Sequence, residues 1–240
     1  MVAPLLVLHQ ILTAGNTITA FSLLLYALTF NLRERVARAL AVLMACVTIA
    51  YFGDVLVATS ALTIETETWL RLQWVGTSFV PAAYLQLSDA LLEATGRPSR
   101  GRRSKVVWLS YILGALTLIA VTMGRSLAGS LTQADSVPYL APGPLFPVFT
   151  LFLLVTIGFA GLNFYRAYQR CLTRSSRRRM RYLMAGSLGP LLGSYPFLML
   201  GGRALVAFPV LFWGIQIVIN AFVTIQMVLM AYAVAYFGVD

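Results

Sequence analysis

The stretch LLVLHQILTAGNTITAFSLLLYALTF at 5–30, followed by NLRER at 31–35 and VARALAVLMACVTIAYFGDVLVAT at 36–59, decides the architecture. Two apolar runs, each longer than the roughly 20 residues that cross a bilayer, flank a short turn carrying arginines. The alternation continues along the chain and predicts further spans at 69–92, 106–123, 146–168, 182–200 and 205–237. The 240 residues, 59% hydrophobic and 11% charged, therefore read as an all-α polytopic membrane protein. It is expected to be a single seven-transmembrane-helix bundle over 1–240, with lipid as the solvent for most of its surface.

Charge gives the orientation. Loops 31–38, 96–105 and 166–181 hold fifteen of the 18 basic residues, among them Arg33, Arg35, Arg38, Arg97, Arg102, Arg103, Lys105, Arg174, Arg177 and Arg178. The alternate connections carry Glu65, Glu67 and Asp135, with only Arg71, Arg125 and Arg203 on the basic side. By the positive-inside rule the N-terminus is outside and the C-terminus cytoplasmic in a plasma (inner) membrane. The net charge of +10 is a topology signal first and a sign of contact with anionic membrane lipids second, and no nucleic-acid partner is read from it.

The N-terminal run lacks a basic leader and exceeds a signal-peptide core, so it reads as a retained span. The longest outer connection, 125–145, holds Pro138, Pro142, Gly143 and Pro144, and reads as an irregular crossover or small lid rather than a folded module. Cys46 and Cys171 sit at different expected depths and match no disulfide, metal or redox spacing. His9 has no second ligand nearby, so neither metal nor cofactor is expected. The bundle and its loops use the whole length, so a cytoplasmic output domain is not expected within this chain.

Charges inside spans are costly and each invites a partner. Asp54 near the outer end of the second span and Arg71 at the start of the third predict a buried ion pair, read as a structural bridge before a ligand contact. Asp89 and Glu93 share one helix face beside the basic loop, where charge pairing explains them more simply than proton relay. Asn16, Asn163 and Asn220 read as helix-to-helix hydrogen-bonding glue. Gln216 lies three residues after Trp213 on one face, an aromatic wall beside an amide that suits a small ligand.

Pro81, Pro190, Pro196 and Pro209 each remove a helical hydrogen bond and predict kinks in the third, sixth and seventh spans. Trp74, Tyr84 and Tyr195 lie at similar depth or on the same helices. An outward-facing crevice among the second, third, sixth and seventh spans follows as the candidate ligand site, lined by Arg71, Gln73, Trp74, Trp213 and Gln216. The lone lysine, Lys105, is in a loop, which excludes a retinal Schiff base of the usual kind. No Ser/His/Asp set, HExxH or phosphate-cradling glycine loop is present, so no catalytic residue is assigned and the chain is not expected to be an enzyme.

The third span reads WLRLQWVGTSFVPAAY from Trp69 to Tyr84 and closes on Thr95-Gly96-Arg97; Asn16 and Tyr26 precede a basic turn, and Ala231-Tyr232 ends the seventh span. This pattern resembles the N-terminal seven-helix sensor region of bacterial membrane histidine kinases. The resemblance implies a two-component signalling input domain, homodimeric in a full-length receptor, that senses a small or lipidic molecule and passes motion through its last helix. The residues alone leave open a small transporter or lipid-handling protein, for which the central Asn16, Asn163 and Asn220 would line a path.

Overall fold

The computed structural model describes residues 2–30, 34–60, 63–96, 101–134, 137–171 and 173–235. They form α1 (Val2–Phe30), α2 (Arg35–Thr59), α3 (Thr63–Thr77), α4 (Val80–Ala94), α5 (Arg102–Thr122), β1 (Ala128–Ala134), β2 (Val137–Pro142), α6 (Phe146–Arg170), α7 (Arg174–Gly193), α8 (Phe197–Ala207) and α9 (Pro209–Ala235). Arg33, Arg97, Arg100, Asp135 and 236–240, on which parts of the sequence reading rest, lie outside the described residues.

Five helices, α1, α2, α5, α6 and α9, are long and apolar enough to cross a membrane. Their outward faces carry exposed apolar stripes, such as Ile11 and Ile18 on α1, Leu116 on α5, Leu151 on α6 and Val218 on α9. Such continuous apolar surface is disfavoured in water and is what a bilayer accepts.

The spans expected at 69–92 and 182–200 are each divided in two. Pro81 has no N–H for the Thr77 carbonyl, and the chain tightens at Ser78 and Phe79, where the Phe79 N–H bonds the Gly76 carbonyl at 3.0 Å. Pro196 likewise cannot serve the Leu192 carbonyl, which takes the Tyr195 N–H at 3.2 Å instead, and the helix restarts at Phe197. Pro209 causes no kink. It opens α9, where a missing N–H costs nothing, so the run expected from 205 is parted at Phe208.

The connection after α5 is ordered, which corrects the irregular crossover, while the membrane bundle itself is helical as expected. β1 and β2 pair antiparallel, with Leu131 opposite Leu140 and Thr132 opposite Tyr139. Leu127, Ala128 and Leu140 bury themselves against Leu70, Trp74, Phe146 and Phe149, giving the hairpin its own small core. Gly143 closes it, since a Cβ there would lie 2.3 Å from the Ser126 carbonyl oxygen.

The main core lies between α2 and α4, with Leu40, Leu43, Met44, Val47, Tyr84, Leu87 and Leu91 packed against Phe164, Leu183 and Val223. α3 approaches α2 through Gly76, whose added Cβ would meet the Cys46 carbonyl oxygen at 2.1 Å. Small residues at such crossings let backbones approach where lipid offers helices no hydrophobic drive to associate. At the end bearing the basic loops, Glu93 pairs with Arg35, and Asp89 faces Arg103 Nε at 3.5 Å. The two carboxylates are thus held by arginines of α2 and α5.

Candidate functional site

A cavity of about 570 Å³ opens at the hairpin end of the bundle, the size of pocket that holds a small organic molecule. α1, α2, α3 and α9 wall it, the α7–α8 break (Gly193 to Met199) closes one side, and β1 and β2 cover it with Leu131, Tyr139 and Leu140. The helix breaks therefore shape the site: where α7 stops, Ser194 and Tyr195 turn into the space that a straight helix would seal.

Of the five residues expected to line a crevice, Gln73, Trp74, Trp213 and Gln216 border this cavity. Arg71 does not. Its guanidinium bonds Glu67 Oε1 from Nε at 3.1 Å and from Nη2 at 3.0 Å, and reaches the Val121 and Gly129 carbonyls, tying α3 to the end of α5 and to β1. Asp54 and Arg71 accordingly form no ion pair. Gln73 Nε2 donates to Asp54 Oδ1 at 2.7 Å, and Gly53 makes this possible, because a Cβ there would sit 2.3 Å from Gln73 Cγ. Asp54 is exposed and borders the cavity.

The site also contains residues that the sequence reading did not assign to it. Tyr51, one turn before Asp54 on α2, is 3% exposed, with its hydroxyl buried beside Asn16. That hydroxyl occupies the place of a side chain at Gly193, where a Cβ would lie 2.2 Å away. His9 stacks on Trp213 with ring centroids 5.0 Å apart and joins a chain of hydrogen bonds between α1 and α9. Thr224 donates to Asn16 Oδ1 at 2.6 Å, Asn16 Nδ2 to Asn220 Oδ1 at 3.0 Å, and Asn220 Nδ2 to His9 Nδ1 at 3.1 Å. Each amide orientation is fixed by its neighbour, so Nδ1 accepts and the imidazole is the neutral Nε2–H form in this arrangement. The signal was present in the spacing: His9, Thr13 and Asn16 share one face of α1, as Trp213, Gln216 and Asn220 share one of α9.

Other polar positions are structural. Asn163 on α6 donates to Ser88 Oγ on α4 at 3.1 Å, and Tyr84 lies in the core against Phe164, away from the cavity. Among the described residues no group of three or more His, Cys, Asp or Glu could hold a metal ion.

Apolar-faced helices enclosing a cavity beneath a hairpin define a polytopic membrane protein. The chain belongs to the family described as the N-terminal 7TM region of histidine kinase, whose model matches residues 15–239. No curated protein matches it. The matching model describes an N-terminal membrane region and not a catalytic kinase domain.

Proposed function

We propose that this chain is the signal-sensing input domain of a two-component-type receptor in the plasma membrane, with seven spans, the hairpin end outside and the basic loops in the cytoplasm. α3 with α4 and α7 with α8 supply the two divided spans. A small or lipidic molecule enters the cavity beneath the hairpin, and α9 carries the response inward to an output domain, in a receptor that works as a homodimer.

One observation supports this reading: a helix that walls the cavity continues without a break well beyond it. Trp213, Gln216 and Asn220 of α9 border the cavity, and the helix runs unbroken to Ala235. A ligand biases a signalling state only through contacts that differ between states, and contacts made by α9 meet that requirement directly.

The test fills the cavity without needing the ligand. Gln216→Trp occupies the space, and spin labels at Leu162 on α6 and Val228 on α9, both exposed, report the far end in nanodiscs. A changed distance distribution supports relay through α9. An unchanged distribution, in a variant that melts normally, removes it.

A further inference from the structure

We infer that the cavity takes an organic monoamine, a molecule with one cationic amine on an apolar or aromatic body, whose ammonium group pairs with Asp54. This rests on the ligand-binding reading of the cavity given above and adds the chemical class.

The lining is lopsided in charge. Among the described residues bordering the cavity, Asp54 is the one carboxylate and no lysine or arginine accompanies it; the His9 ring is hydrogen-bonded to Asn220, and Arg71 is turned toward Glu67. Asp54 is open to the cavity and has a single hydrogen bond, from Gln73, which leaves its carboxylate available to a ligand that carries a positive charge. A proton would neutralise it; so would a cation that arrives with the ligand. The Tyr51 hydroxyl, one turn away on the same face of α2, is buried beside Asn16 and seated where Gly193 leaves room, so it shapes the wall next to Asp54. A carboxylate open to the cavity offers an ammonium a charged acceptor. Trp213 and Tyr195 also line the cavity and suit an apolar or aromatic body. A bare metal ion would leave most of 570 Å³ empty. A phosphatidylethanolamine headgroup carries the amine too, but its phosphate would meet no cation in the described lining.

The experiment uses the chain in nanodiscs of phosphatidylcholine and phosphatidylglycerol, read by intrinsic tryptophan fluorescence, with Trp213→Phe identifying the reporting ring. Phenethylamine, its neutral isostere 2-phenylethanol and the anionic phenylacetate are titrated. The amine is expected to bind about tenfold more tightly than the alcohol, the worth of one hydrogen bond to a charged group. Asp54→Asn should equalise them, and Asp54→Glu should restore part of the preference. Equal binding of amine and alcohol, or a preference that survives in Asp54→Asn, overturns the amine assignment while leaving the cavity reading intact. Absence of binding by all three probes overturns both. Loss of phenethylamine binding on adding phosphatidylethanolamine would identify the lipid headgroup as the amine's source and overturn the choice of a free monoamine.

Discussion

Arg71 and Gln73 stand two positions apart on α3, so they point about 200° from one another and cannot both face α2. The cavity stripe on this helix is Thr66, Leu70, Gln73, Trp74 and Thr77, at helical spacing, and Arg71 lies off it. This geometry was readable in the sequence; an ion pair with Asp54 is attractive by charge alone, and it gives way to Gln73 because Gly53 opens the path. Glycines set other contacts at this scale. Gly76→Ala drives a methyl group into the Cys46 carbonyl and should destabilise the bundle by about 1–3 kcal/mol, as overpacking does. Gly15→Ala, where a Cβ meets nothing within 4 Å, should leave stability unchanged or slightly raised. Thermal unfolding of the two variants in one detergent measures the contrast. Similar losses for both would show that α3 does not approach α2 this closely.

At the scale of elements, the long apolar helices were legible because nothing interrupts their pattern, and α2 and α6 fall within two residues of the expected bounds. The prolines marked where helices yield, but a kink and a full break share the same missing N–H, and neighbours decide between them: Gly114 of α5 packs against the turn at Ser78 and Phe79. The hairpin was hidden for a different reason. Its strands of 7 and 6 residues are short, rich in Gly and Pro, and gain stability from burial against α3 and α6 rather than from their own alternation. Arg71 joins α3 to that hairpin, so Arg71→Ala should speed hydrogen exchange across 128–142 and cost about 1–3 kcal/mol, the penalty for orphaning its carbonyl and carboxylate partners. Glu67→Ala should do less, because the two carbonyl contacts survive. Slower or unaltered exchange in Arg71→Ala would separate the arginine from the hairpin.

For the whole molecule, the strongest expectation is orientation, since it follows from fifteen basic residues gathered in three loops against three elsewhere. The fold makes the experiment clean. Both native cysteines, Cys46 and Cys171, are buried, so an impermeant maleimide should ignore them and report inserted thiols. Ser130 on β1 and Arg178 on α7 are exposed at the two ends of the molecule. Ser130→Cys should label in intact cells, and Arg178→Cys only after permeabilisation; the reverse pattern would invert the topology and close the cavity to the outside. The same orientation separates a sensor from a transporter. The described cavity lies at the hairpin end, while toward the other end α2 and α4 pack an apolar core and the cavity beside Arg35 and Asp89 is only about 90 Å³. Alternating access needs a path through both leaflets, so purified protein in liposomes should move neither an encapsulated amine nor a labelled phospholipid above the rate of empty vesicles. Transport of either, abolished by Gln216→Trp, would make the Asn16–Asn220 network part of a pathway and replace the receptor reading with the transporter one.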